Sequence, residues 1–149
     1  MNPRYPIYVI SKGRCESRLT VKSLLDRSIP FRCVIEPQEY EAYAAVIASQ
    51  LLLVLPFSNL GQGSIPARNW VWEHAKAAGH ARHWILDDNI REFYRLYRNI
   101  KYRTTDGASF AAIEDFADRY TNCDMAGMDY QYLVKSKYPR PPLTINTRI

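Results

Sequence analysis

The chain has 149 residues, 47% of them hydrophobic and 23% charged, with a formal net charge of +5. Those values fit one globular domain with a substantial core, and no apolar run approaches the roughly 20 residues that a membrane helix needs. The pI near 9.2 favours an anionic partner such as a phosphate, a nucleotide or nucleic acid.

Residues 5–10 (Tyr-Pro-Ile-Tyr-Val-Ile) read as a first strand, closed by the polar break Ser11-Lys12-Gly13-Arg14. From Cys15 the spacing turns helical for about three turns. Val21, Leu24 and Leu25 share one face, Arg18 and Lys22 another, and Ile29-Pro30 ends the helix. Residues 31–35 form a second strand, and Glu36-Pro37 opens a second helix with Tyr40, Tyr43, Ala44 and Ile47 on one face. The continuous apolar run 51–55, closed by Pro56, predicts a parallel strand covered on both faces.

A glycine-rich loop from Asn59 then leads into a helix with Ser64 as N-cap and Pro66 in its first turn, ending at Gly79. Residues 84–86 form a fourth strand, which runs into Asp87, Asp88 and Asn89. Strand and helix alternate, so the expected class is α/β: a mostly parallel sheet flanked by helices on both faces.

Beyond Asn89 the composition changes. Arg91, Arg95, Arg98, Lys101 and Arg103 interleave with Phe93, Tyr94, Tyr97 and Tyr102, as in surfaces that grip phosphates and stack bases. An edge strand with a solvated basic face gives the same pattern. Residues 107–120 predict an amphipathic helix, with Phe110, Ile113, Phe116 and Tyr120 inward and Glu114, Asp115 and Asp118 outward. Residues 130–134 predict a further strand, 139–142 carry prolines that forbid regular structure, and 143–149 read as a strand that stops, as if the fold were truncated at its C-terminal end. Cys15, Cys33 and Cys123 show no paired or metal-ligand spacing, and the first residues lack a signal-peptide core, so an intracellular, cytoplasmic protein is expected.

The acidic pair is the chemical focus. Two carboxylates about 4 Å apart repel by about 4 kcal/mol at an effective dielectric near 20, so a fold that keeps both ionised commonly sets a cation beside them. Mg²⁺ or Mn²⁺ suits oxygen ligands and completes its shell with water and substrate phosphates. An Asp-Asn turn or helix cap is the other reading of the same residues. If the first and fourth strands are neighbours, Ser11, Lys12, Arg14 and Arg18 face the same crevice as Asp87 and Asp88, and a cationic loop opposite a carboxylate-bound metal suits a diphosphate.

Three segments in this order resemble the GT-A glycosyltransferases, and more closely the phage TET-associated glycosyltransferases that act on modified DNA: residues 5–14, the stretch 61–69 with Pro66-Ala67-Arg68-Asn69, and residues 84–90. The resemblance implies a GT-A, Rossmann-like fold as a single domain over 1–149, with a donor-binding half over 1–90 and the start of an acceptor half over 91–149. It implies a nucleotide-sugar donor, UDP-linked by preference, held by Ser11, Lys12, Arg14, Arg18, Glu36, Arg68 and Asp87. It further implies a divalent metal on Asp88 and Asp87, a hydroxyl acceptor such as a hydroxymethylated base in phage DNA, contacts to DNA from Arg95 and Arg98, and a place in the host cytoplasm. The run is Asp-Asp-Asn where the family motif is Asp-x-Asp, which leaves open which aspartate ligates metal. The competing readings are a nucleotidyltransferase on a similar fold and a non-enzymatic nucleic-acid-binding module built on residues 91–103.

Overall fold

A computed structural model describes residues 1–131 and divides the chain into two compact units, Arg4–Arg91 and a second made of Met1–Pro3 with the chain from Glu92 onward. In the first unit the elements run β1 (Ile7–Ile10), α1 (Leu19–Asp26), β2 (Arg32–Ile35), α2 (Tyr40–Ala44), β3 (Leu52–Val54), α3 (Ile65–Ala77) and β4 (Trp84–Asp87). All four strands are parallel, in the order β3-β2-β1-β4. The α/β class and the flanked parallel sheet are as the sequence predicts.

The strands of this sheet carry consecutive apolar residues because both faces are covered. On one face Tyr8 and Val34, with Ile10, Leu53 and Ile85, pack against Ala67, Val71 and Ala75 of α3. The fourfold spacing of these small residues lets the helix lie close to the sheet. On the other face Ile7, Val9, Cys33, Ile35 and Leu86 are buried, and α1 buries Val21 and Leu24.

Several elements of this unit differ from expectation. The first helix spans only eight residues, starting at Leu19, because Arg18 takes a left-handed φ of 28° and its guanidinium donates to the carbonyls of Cys15 and Glu16. Residues 15–17 therefore belong to the loop, and Leu25 is 48% exposed although Leu24 is fully buried. The third strand lies at the sheet edge with Val54 38% exposed, so its apolar run does not mark a strand covered on both faces. At α3, Pro66 and Gly79 (φ 78°) punctuate the helix as predicted, but the Ser64 side chain makes no cap and its Oγ instead accepts from Arg68 Nε at 3.2 Å.

The start of α1 is fastened to the turn after β4. Thr20, completely buried, donates its Oγ1 proton to the Asp87 carbonyl at 2.6 Å and accepts from Ile90 N–H at 2.9 Å. Its own N–H donates to the Asp88 carbonyl at 3.3 Å. Three backbone groups of the acidic turn are thus satisfied by one residue.

The second unit contains an antiparallel hairpin, β5 (Tyr94–Tyr97) and β6 (Ile100–Arg103), and helix α4 (Ala108–Ala117). Arg98 and Asn99 form its turn with φ of 49° and 62°, the positive pair that matches the twist of a tight hairpin. On α4 the buried residues are Ser109, Phe110, Ala111, Glu114 and Ala117, so the inward face is rotated from the predicted one. Phe110 packs against Phe93 with ring centroids 4.9 Å apart, Phe116 and Tyr120 pair with each other at 4.8 Å, and Tyr120 is 49% exposed. Phe110 is buried as predicted, but Ile113 and Phe116 are only partly covered and Glu114, predicted outward, is buried. Of the predicted strand 130–134, Tyr130 and Gln131 carry no strand and the rest lies outside the described residues, as do the segments 139–142 and 143–149. Among the described residues no helix is long and apolar enough to cross a membrane.

Two substitutions test this packing. Leu24→Ala should cost about 2–5 kcal/mol in urea unfolding, whereas Leu25→Ala, one position along, should cost well under half of that. Thr20→Val keeps the shape but strands a buried carbonyl and N–H, so a loss of about 2–4 kcal/mol is expected, with Thr20→Ser recovering most of it. Equal losses for the two leucines would contradict the placement of α1.

Candidate functional site

Strand order reverses between β1 and β4, since the chain steps from β1 to β2 and β3 on one side and returns to β4 on the other. At such a switch point the loops leaving adjacent strands diverge and open a crevice beyond their carboxyl ends. Ile10 pairs with Asp87, so β1 delivers Ser11, Lys12 and Arg14 beside the place where β4 delivers Asp87 and Asp88. Glu36 follows β2, and Arg68 lies in the second turn of α3. All of these residues belong to the Arg4–Arg91 unit.

The two aspartates do not face each other as bare charges. Asp87, with its side chain 54% exposed, accepts from Arg68 at 2.6 Å. Asp88, with its side chain only 15% exposed, accepts from Ser11 Oγ at 2.9 Å through Oδ2 and has Arg14 Nε 3.8 Å from Oδ1. Each carboxylate therefore has its own arginine, and the repulsion expected from their adjacency is relieved by the protein itself.

A third carboxylate is more fully bonded. Glu36 accepts from Lys12 Nζ at 2.8 Å, from Gln38 at 2.5 Å and from the Asn59 N–H at 3.1 Å, while Lys12 also donates to Asn59 Oδ1 at 3.0 Å. Desolvation pushes the Glu36 carboxyl up, but the bonds from Lys12, Gln38 and Asn59 outweigh it and hold its pKa below the usual value. This clasp joins the β1 loop, the end of β2 and the glycine-rich loop, in which Asn59, Gly61 and Gly63 all take left-handed φ of 51–70°. Asn and Gly are the residues that adopt that region most readily.

The β1 loop turns at Gly13, whose φ is 67° and whose N–H donates to Glu39 at 2.5 Å. Gly13, Arg14, Cys15, Glu16 and Ser17 line an open depression of about 600 Å³. Beneath the loop Ser11 also meets Tyr43, fully buried, with 2.6 Å between the hydroxyls. Burial pushes the Tyr43 hydroxyl up to about 12 and the neighbouring Cys33 thiol up to about 12, so both stay neutral.

Of the residues singled out in the sequence, Ser11, Lys12, Arg14, Glu36, Arg68, Asp87 and Asp88 come together at the switch point. Arg18 is turned back onto the carbonyls of its own loop and shapes that loop. Arg95 and Arg98 lie on the hairpin of the other unit, both exposed, Arg98 with its guanidinium 5.2 Å from the Tyr97 ring. Sequence reasoning did not find Thr20, Tyr43, Glu39 or Asn59 as parts of the site. A threonine in a first helical turn, or a tyrosine on a buried helical face, gives no sign of the polar contact it makes in three dimensions.

The carboxylates also bear on metal binding. Among the described residues no group of three or more His, Cys, Asp or Glu is placed to hold a metal ion. Asp87 and Asp88 supply hard oxygens, and Asp88 Oδ1 has Arg14 at the longer distance of 3.8 Å. That set fits Mg²⁺ or Mn²⁺, which are commonly bound through one or two carboxylates together with substrate phosphates and water.

A family model described as TET-Associated Glycosyltransferase matches residues 5–148. No curated protein and no solved structure matches the chain. The match identifies a sugar-transferring enzyme, which sets aside nucleotidyl transfer and a purely non-enzymatic binding module. The motifs that carried the resemblance lie on β1 and its loop, on the glycine-rich loop with the start of α3, and on β4 and its turn, and the chain belongs to the TET-associated glycosyltransferase family.

Proposed function

We propose that this glycosyltransferase takes its sugar from a nucleoside diphosphate donor, UDP-linked in the first instance, with a divalent metal, and passes it to a hydroxyl acceptor that is a hydroxymethylated base in phage DNA. The observation that carries this reading is the pairing of Asp87 with Arg68, Asp88 with Arg14 and Glu36 with Lys12 at the carboxyl edge of the parallel sheet. A diphosphate needs cations on several sides, and here two come from the β1 loop and one from α3. The same residues make a site in the ligand-free protein because each cation already sits on a carboxylate.

Asp88, braced from beneath by Ser11, and Asp87, on the outer side, are the residues that would hold the metal. A divalent ion bound there supplies positive charge to the departing diphosphate, so the aspartates contribute through electrostatics and not as nucleophiles. Arg68 and Arg14 exchange their carboxylates for phosphate oxygens as donor binds. Glu36 and Lys12 hold the crevice wall, and Lys12 gains a phosphate only by loosening its bond to Glu36. The exposed face of the hairpin, with Arg95, Tyr97, Arg98 and Tyr102, supports DNA as the acceptor because it joins cations to stacking rings. A phage-encoded enzyme of this kind would act in the host cytoplasm.

Calorimetry with UDP should show affinity rising at least about tenfold, or about 1.4 kcal/mol, when Mn²⁺ is present. Asp88→Asn should remove that gain yet leave the melting temperature of the ligand-free protein within a few degrees, since asparagine still offers Ser11 an oxygen. Equal UDP affinity with and without Mn²⁺ in the unaltered protein counts against the metal site.

Fluorescence anisotropy with a short duplex tests the acceptor. Each phosphate neutralised contributes about −0.9 to the slope of log affinity against log salt, so Arg95→Glu with Arg98→Glu should shallow that slope by about 2 units. UDP binding should be untouched. Unchanged duplex affinity in the double variant removes DNA contact from this hairpin.

A further inference from the structure

We infer that Ser11 and Tyr43 are positioning residues: a one-way chain of hydroxyls, Tyr43 to Ser11 to Asp88, aims the Asp88 carboxylate into the crevice. The inference rests on the donor-site reading above and assigns Ser11 a different task within it. As a donor-binding residue Ser11 would offer its hydroxyl to the ligand. The geometry leaves it no proton to offer.

Ser11 is 3% exposed and donates its single hydroxyl proton to Asp88 Oδ2 at 2.9 Å. The 2.6 Å contact to Tyr43 must then run the other way, with the phenol donating to Ser11 Oγ. Tyr43 has no exposed surface, so its hydroxyl has no water to turn to. Hydrogen bonds in series polarise one another, which strengthens the bond that reaches the carboxylate. The backbone holds the middle link and the Asp88 end of this chain. Ser11 N–H donates to the Val34 carbonyl at 3.0 Å, and the Asp88 carbonyl accepts from Thr20 N–H at 3.3 Å.

The consequence is directional. With Oδ2 tied down beneath the β1 loop, Oδ1 is left on the side of Arg14, 3.8 Å away, where donor phosphate and its metal would arrive. Asp87 is held differently: its side chain is more than half exposed and accepts from Arg68. Of two adjacent aspartates, Asp88 is therefore the preorganised one. Hydrogen-bond partners that orient a ligating carboxylate typically change metal affinity or activity by about 10–100-fold when removed.

Tyr43→Phe deletes one buried oxygen and keeps the ring, and Ser11→Ala deletes the link itself. UDP affinity is measured for both by calorimetry with Mn²⁺ and without it, next to the melting temperature of the ligand-free proteins. Tyr43→Phe is expected to lower affinity about 3–10-fold in Mn²⁺ and to leave the metal-free value unchanged, with Ser11→Ala losing about 10–100-fold in Mn²⁺. Ser11→Thr, which restores a hydroxyl, should recover part of the loss. A Tyr43→Phe protein that melts lower but keeps the full Mn²⁺-linked gain overturns the positioning role and leaves the donor site standing. An unaltered protein whose UDP binding ignores Mn²⁺ overturns the donor-site reading, and the role of the hydroxyl chain with it.

Discussion

The pairing of β4 against β1 is the constraint on which the rest of the Arg4–Arg91 unit depends. Its register sets Ile10 opposite Asp87, and the chain leaving each strand must then enter the same crevice. Parallel strands with these crossovers put every loop of this kind at one edge of the sheet. A shift of that register by one residue would turn Asp87 to the other face and away from Arg68. Thr20 guards against such slippage by tying α1 to the backbone of residues 87, 88 and 90.

The crevice is balanced in charge before any ligand arrives. Asp87, Asp88 and Glu36 meet Arg68, Arg14 and Lys12, and most of these pairs are exposed enough for water and salt to weaken them. Such pairs add little to stability and exchange partners readily. An anionic ligand can take over the cations, and the carboxylates it frees are then available to a cation that travels with it. The same balance explains why a pair of adjacent aspartates is tolerated in the ligand-free fold.

Around this exchangeable layer the supports are of another kind. Ser11, Thr20 and Tyr43 are buried, uncharged and fully used, and they hold backbone and carboxylate positions that salt does not affect. The hairpin of the second unit has its own local tension. Arg98 takes a left-handed φ that glycine or asparagine would adopt at less cost, and the turn places that arginine at the tip beside exposed Tyr97.

The sequence by itself determined the alternation of strand and helix, the parallel class and the position of the acidic pair at a strand end. These are local matters: runs such as Cys33-Val34-Ile35 and Trp84-Ile85-Leu86, with Pro66 and Gly79 as punctuation, carry their signal in neighbouring residues. It also singled out the cations of the β1 loop and Arg68. What only the tertiary structure decided is who partners whom. The arginine on each aspartate, the clasp of Lys12 on Glu36 and Asn59, and the chain from Tyr43 through Ser11 to Asp88 join residues between 19 and 77 positions apart. The shortened α1, the exposed edge of β3 and the rotated face of α4 belong to the same class. Each depends on what the rest of the chain packs against it, and a hydrophobic pattern records only that a residue prefers burial, not whether a neighbour arrives to bury it.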